Sequence, residues 1–123
     1  MKIWLADLTY TQQSIASDVV PAGIGMIAEY TEKKITNIDK IKLFKFPETL
    51  SESLNINTPD LIGFSNYVWN SSLTDIYLKR IKEENPKVIT VVGGPNFPTD
   101  KDEQKDYLKK RPYIDFYIIK EGE

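Results

Sequence analysis

Side chains that could hold a ligand gather in three short segments of this chain. The first, Asp7–Ser14, is rich in hydroxyl and amide groups, and the second, Ser65–Asn70, carries two aromatic rings. The third, Gly93–Pro98, begins with two adjacent glycines. Hydroxyls and amides donate and accept hydrogen bonds, and glycine lets a ligand approach the backbone closely. The three segments therefore predict a binding site, with no residue assigned to catalysis.

The chain contains no histidine and no cysteine among its 123 residues. This composition excludes disulfides, zinc sites built from Cys and His, thiolate nucleophiles, cysteine-held iron–sulfur clusters and imidazole chemistry supplied by the chain itself. The net charge of −2 gives no attraction to a nucleic-acid backbone. No apolar run approaches the ~20 residues that a membrane span needs. We expect no metal ligand, no nucleic-acid or membrane partner, and a cytoplasmic location.

Five short apolar runs predict the strands. They are Lys2–Leu8, Ile41–Phe46, Leu61–Ser65, Val88–Gly94 and Asp115–Lys120. The first, third and fourth contain almost continuous apolar stretches, which is typical of strands that are buried on both faces of a parallel sheet.

Helical patterns fill the intervals between these runs. Asp18 is expected to cap the first helix, with Pro21 in its first turn, and Pro47–Leu54 to form one or two helical turns. The third helix is expected to start with Ser72 in a capping box, and Thr99 to cap the fourth. The alternation predicts a single α/β domain over residues 1–123, a flavodoxin-like (Rossmann-like) three-layer sandwich with a five-stranded parallel sheet of order 2-1-3-4-5. In this order the ligand site lies at the carboxyl ends of the strands, where the strand order reverses, and the three polar segments meet there.

One apparent motif does not fit its usual role. Gly23–Ala28 matches G-x-G-x-x-A, but a dinucleotide-binding fold places these glycines directly after the first strand. Here they lie some fifteen residues beyond that strand, so we interpret them as small residues that allow close packing of a helix against the sheet.

The order of these segments resembles the cobalamin-binding domain at the N-terminus of many radical S-adenosylmethionine enzymes. The resemblance covers nearly the whole chain, and the segments that carry it are Asp18–Ala28, Pro59–Ser65 with Tyr67–Asn70, Val91–Pro95, and Asp115–Ile119 followed by Glu121-Gly122-Glu123. It implies that the crevice holds the corrin ring of cobalamin and its nucleotide tail.

The resemblance also implies roles for individual residues. The corrin side would be lined by Thr9, Tyr10, Asn66 and Tyr67. The tail would pass the Ser65 hydroxyl and the Gly93-Gly94-Pro95 turn, and Glu121 would stand at the ligand end of the last strand.

The chain departs from the family at the cobalt ligand. Many such domains carry Asp-x-His-x-x-Gly after the first strand, and the corresponding segment here is Asp7–Gln12, with Thr9 at the histidine position. A neutral hydroxyl is a poor cobalt ligand beside imidazole, so we expect cobalt without a protein imidazole. Lys120 stands where a glycine often precedes Glu-Gly-Glu.

In this family the chain continues into a catalytic barrel. The barrel holds a [4Fe–4S] cluster through Cys-x-x-x-Cys-x-x-Cys and uses S-adenosylmethionine. The resemblance implies that the present chain is a truncated domain whose partner is that barrel, and that reaction chemistry resides there. The sequence does not identify the substrate of that reaction.

Three alternatives share the fold. A phosphoacceptor receiver needs an aspartate at the end of the third strand, where this chain has Ser65 and Asn66. A flavin-binding electron carrier needs a glycine in the loop after the first strand, and the first glycine here is Gly23. A partner-docking domain without cofactor would use Tyr67 and Trp69 as contact residues.

Overall fold

The computed structural model describes residues 1–11 and 20–120. Asp18, the expected cap of the first helix, and Glu121 lie outside these residues. Within them the elements follow in the order β1 (Ile3–Ala6), α1 (Ala22–Lys34), β2 (Lys42–Phe44), α2 (Pro47–Ile56), β3 (Leu61–Ser65), α3 (Ser71–Glu84), β4 (Ile89–Gly93), α4 (Lys101–Lys109) and β5 (Phe116–Ile118).

The strands form a parallel sheet in the order β2-β1-β3-β4-β5, which confirms the predicted flavodoxin-like α/β fold. The register pairs Ala6 with Phe64 and Ser65 with Gly93. Because these pairs lie at the carboxyl ends of β1, β3 and β4, the residues that follow each strand emerge side by side at one edge.

Side chains alternate along the strands and divide the core into two clusters, one on each face of the sheet. On the α1 face, Ile3 and Leu5 pack with Ile24 and Ala28 of α1. On the α3 face, a larger cluster joins the strands to α2, α3 and α4, and it includes Trp4, Ile62, Val92, Leu50, Leu78 and Ile81. Burial on both faces explains why the strand sequences are almost continuously apolar.

Part of the α1 face stays open. Helix α1 packs against β1, while Ile89, Phe116 and Ile118 of β4 and β5 have 37%, 59% and 40% of their surface exposed. A cavity therefore remains beside α1, with the strands as its floor.

The helix starts differ from those expected at three places. Pro21 is the N-cap of α1 and lies outside its first turn. Helix α3 begins at Ser71, so Ser72 lies inside the helix and the expected capping box is wrong. Helix α4 is capped by Asp100, whose carboxylate accepts from the N–H groups of Asp102 and Glu103 at 2.9 and 3.2 Å; Thr99 is one residue too early.

Helix α2 extends to Ile56, beyond the one or two turns expected from Pro47 to Leu54. No helix within residues 1–11 and 20–120 is both long enough and apolar enough to cross a membrane.

Lys120 adopts a backbone conformation that favours glycine, with φ of +68°. A non-glycine residue with this backbone conformation destabilises the fold by about 1–2 kcal/mol. Glycine removes that cost, but the larger conformational entropy that it gives the unfolded chain offsets about 0.5–1 kcal/mol of the stabilisation. We expect Lys120→Gly to raise the free energy of unfolding by about 0.5–1 kcal/mol, measured by urea denaturation. The control is Lys105→Gly in the middle of α4, which should lower it by about 1 kcal/mol. A lower midpoint for Lys120→Gly would contradict the expectation.

Candidate functional site

A cavity of about 550 Å³ lies between the α1 face of the sheet and helix α1. Its size falls within the roughly 300–1,000 Å³ typical of small-molecule sites. Most of its wall is apolar and includes Ile3, Leu5, Leu61, Val91, Ile24 and Ile27. Such a wall favours a flat or aliphatic apolar group and gives it few hydrogen-bonding partners.

The cavity is polar at the carboxyl ends of the strands. Asp7 after β1, Ser65 at the end of β3 and Lys120 after β5 all line it there. Tyr67, Gly93 and Gly94 complete this end. A ligand that is apolar at one end and polar at the other therefore matches the site in one orientation.

Missing side chains help to create this space. Gly63 in β3 and Gly93 in β4 line the floor, and Gly23 of α1 lines the wall. A Cβ at Gly93 would meet Ile118 at an ordinary 3.8 Å, and a Cβ at Gly23 would meet nothing within 4 Å. Gly93 and Gly23 thus leave room that a side chain would occupy, which is the arrangement expected where a ligand approaches a strand closely. At Gly63 the Leu5 side chain takes up this space, since a Cβ there would lie 2.8 Å from Leu5 Cδ2.

Gly94 has a different role from Gly93. Its φ is +126°, and a Cβ there would lie 2.5 Å from the carbonyl oxygen of Asn66. Both the backbone conformation and the contact exclude a side chain, so Gly94 allows the loop after β4 to cross the backbone that follows β3.

A hydrogen-bond network joins the loops after β1 and β3. The Ser65 hydroxyl donates to Asp7 Oδ1 at 2.5 Å. The amide nitrogen of Asn70, which is fully buried, donates to the carbonyl oxygen of Leu8 at 3.2 Å, and its Oδ1 accepts from the Tyr67 N–H at 2.8 Å. Because Asn70 uses its side chain in this way, the two loops are held together at the mouth of the cavity.

Two aromatic rings in the loop after β3 form a flat surface. Tyr67 and Trp69 stack with ring centroids 4.4 Å apart and planes within 6°. Tyr67 lines the cavity, and 64% of the surface of Trp69 is exposed. The stack extends the apolar wall from the cavity to the surface of the domain.

The structure separates the residues that the resemblance assigned to the corrin side. Tyr67 lines the cavity, Tyr10 is exposed, and Thr9 is buried, with its N–H donating to the Lys45 carbonyl at 3.0 Å. Of the expected tail residues, Ser65, Gly93 and Gly94 line the cavity. Pro95 is exposed in the next turn, and Glu121 lies outside the described residues.

Asn66 lies elsewhere than the resemblance implied. It is 2% exposed, and its Nδ2 donates to the carbonyl oxygen of Asn96 and to the hydroxyls of Tyr107 and Tyr117. These tyrosines pack on the α3 face, on the opposite side of the sheet from the cavity. The expectation that Asn66 lines the corrin side therefore has to be corrected to a place in the framework under the loops.

The hydroxyl of Tyr117 keeps its proton. Burial raises the pKa of Tyr117 to about 12, although the hydrogen bond from Asn66 opposes part of this increase. At neutral pH this hydroxyl donates to the carbonyl oxygen of Gly94 at 3.0 Å.

Several residues of the site were absent from the sequence-based prediction. They are Gly63, Tyr117 and the α1 side chains Ile24 and Ile27, whereas Asn70 lay in a predicted segment but was given no role of its own. A signal existed for Gly63, since a glycine inside an apolar strand often marks a close approach. Within residues 1–11 and 20–120, no three acidic side chains come close enough together to hold a metal ion.

Comparison with known proteins gives one family and two relatives. A family model described as "B12 binding domain" matches residues 11–123. A 2-(S-pantetheinyl)-carbapenam-3-carboxylate methyltransferase of Streptantibioticus cattleyicolor is 35% identical over 68 residues, which cover 55% of this chain and 10% of that protein. The cobalamin-dependent radical SAM methyltransferase TokK of Streptomyces tokunonensis is 38% identical over 65 residues, 53% of this chain and 9% of that protein. The matched part thus spans about a tenth of each relative.

The two adjacent glycines should respond differently to the same substitution. Gly94→Ala combines a disfavoured φ with a clash against the Asn66 backbone, and we expect it to lower the free energy of unfolding by about 2–4 kcal/mol. Gly93→Ala meets only ordinary contacts and should change it by less than about 1 kcal/mol. Urea denaturation of both variants checks this difference. Equal decreases in the free energy of unfolding of the two variants would show that the turn does not require glycine at position 94.

Proposed function

The chain belongs to the family of B12-binding domains, and on that basis we propose that it binds cobalamin, with the nucleotide tail in the cavity beside α1. The observation that carries this proposal is the glycine-lined cavity, which opens where the strand order reverses between β1 and β3. That position is the usual ligand site of doubly wound sheets.

The shape and chemistry of the cavity suit the tail. Cobalamin's tail ends in a flat, largely apolar benzimidazole base, and a ribose phosphate links it to the corrin. The apolar wall, with Leu5 and Val91 on the floor, would hold the base, and Gly93 leaves it room. The polar mouth, where Ser65 and Lys120 stand, would hold the ribose phosphate.

The loops after β1 and β3 would support the corrin ring. The stacked rings of Tyr67 and Trp69 offer a flat apolar surface, and Asn70 fixes the loop that carries them. Because the chain has no histidine, it supplies no imidazole to cobalt. A tail held in the cavity would also keep its own base away from the metal. Bound cobalamin supplies cobalt–carbon chemistry, and this chain's own residues orient the cofactor and exclude water from its tail.

We further propose that the domain serves a radical S-adenosylmethionine methyltransferase. Both relatives are named as methyltransferases, and TokK is named as cobalamin-dependent and radical SAM. The catalytic barrel would then be the domain's partner and would hold the [4Fe–4S] cluster and S-adenosylmethionine. The gene that encodes this chain, with its neighbours, should encode a Cys-x-x-x-Cys-x-x-Cys segment. A complete gene neighbourhood without such a segment would contradict this parent.

A cavity-filling variant tests the binding proposal. Purified protein should bind hydroxocobalamin, with a spectral change and co-elution in gel filtration. Gly93→Val places a side chain in the cavity and should weaken binding about tenfold or more, a loss of about 1.4 kcal/mol or greater.

The matched control is Gly25→Ala, which adds a methyl group on α1 where nothing lies within 4 Å and which does not contribute to the cavity wall. It should leave the affinity unchanged. Failure of both the domain and its full-length parent to bind hydroxocobalamin would overturn the proposal.

The axial position of cobalt gives a second test. After reduction to cob(II)alamin in the complex, we expect electron paramagnetic resonance to show no hyperfine splitting from an axial nitrogen. The reason is that the chain has no histidine and the benzimidazole would occupy the cavity. A nitrogen splitting in a complex that does form would contradict the placement of the tail.

A further inference from the structure

The loop after β4 crosses directly over the backbone of Asn66. The Asn66 N–H donates to the carbonyl oxygen of Gly93 at 2.7 Å, and the Asn96 N–H donates to the carbonyl oxygen of Asn66 at 3.2 Å. Gly94 lies between these two hydrogen bonds at a distance that excludes a Cβ. The backbone that forms one end of the cavity is therefore shaped by its contact with Asn66.

The Asn66 side chain extends this contact to two other elements. Its Nδ2 lies 2.9 Å from the Asn96 carbonyl oxygen, 3.0 Å from the Tyr107 hydroxyl on α4 and 3.2 Å from the Tyr117 hydroxyl on β5. Two amide hydrogens are shared among these three acceptors. Asn66 is 2% exposed, so these bonds are protected from competition by water.

Tyr117 closes the arrangement from the other side. Its hydroxyl accepts from Asn66 and donates to the carbonyl oxygen of Gly94 at 3.0 Å. Its ring stacks on Phe97 of the same loop, with centroids 3.8 Å apart and planes within 14°. The Gly94 peptide is thus held by its steric contact with Asn66 and by the hydroxyl of Tyr117.

We infer that Asn66 and Tyr117 are positioning residues that fix the Gly93-Gly94 backbone in the conformation that admits the nucleotide tail. This inference rests on the proposed function. Neither residue is part of the cavity wall, so each acts through the loop without touching the ligand. If the Gly94 peptide loses these bonds, it samples other orientations, and binding of the tail must supply the cost of ordering it.

The test separates the tail from the corrin ring. Tyr117→Phe keeps the ring stacked on Phe97 and removes only the hydroxyl. We expect the dissociation constant for cobalamin to rise about three- to tenfold, the size expected for losing one or two hydrogen bonds. The constant for cobinamide, which has the corrin ring but no nucleotide tail, should change by less than about twofold on the same scale. If cobinamide binds weakly, the inference is still supported as long as its dissociation constant is the same in all variants.

Tyr77→Phe is the matched control. Its hydroxyl donates to the Pro47 carbonyl at 2.8 Å and lies 2.6 Å from Ser51 Oγ, so the substitution also removes two hydrogen bonds, here from a buried tyrosine. Those partners lie on α2, and no described residue of α2 or α3 lines the cavity. Tyr77→Phe should lower the urea midpoint about as much as Tyr117→Phe and leave both dissociation constants unchanged.

Three results would overturn the inference. The first is that Tyr117→Phe raises the dissociation constants for cobalamin and cobinamide by the same factor. The second is that it changes neither constant. The third is that Tyr77→Phe also weakens the binding of cobalamin alone. A wild-type protein that binds cobalamin while any of these holds leaves the proposed function intact. A wild-type protein that binds neither ligand overturns the proposed function itself.

Discussion

The register of the parallel sheet is the constraint on which the other features depend. It pairs the last residues of β1, β3 and β4 at one edge, so that Asp7, Ser65 and Gly94 emerge close together although they are far apart in sequence. The bond from Ser65 to Asp7 forms across this edge, as does the crossing of Gly94 over Asn66. A slip of one residue in β3 would exchange its two faces, and it would turn Asn66 toward the cavity and Ser65 into the core.

Alternation along β3 also assigns neighbouring residues to separate tasks. Ser65 faces the cavity, and Asn66 faces the aromatic cluster on the α3 face. The adjacent glycines divide in a similar way, because Gly93 leaves room in the cavity and Gly94 permits the turn. In each pair of sequence neighbours, one residue thus lines the site and the other belongs to the framework that supports it.

The fold was predictable from the sequence because buried parallel strands leave almost continuous apolar runs, such as Val88–Val92. Helix starts were less predictable, since Thr99 and Asp100 both suit an N-cap and only the backbone decides between them. Ser65, Gly93 and Gly94, which the resemblance assigned to the tail, line one cavity. Asn66, which it assigned to the corrin side, is buried against tyrosines on the opposite face of the sheet. The cavity itself was not predictable, because it arises where side chains are missing from elements that are far apart in sequence.

The position of the cavity has a consequence for the stability of the whole domain. A ligand enclosed between α1 and the sheet would take the place that core side chains fill in a close-packed protein. Such a ligand would form part of the protein interior while it is bound. By mass action it would add about 2.7 kcal/mol to the free energy of unfolding when its free concentration is a hundred times its dissociation constant. Helix α1 would then be the element whose packing improves most when the ligand binds, because it contacts the strands on one side and lines the cavity on the other. Occupancy would be readable from the melting of the domain alone.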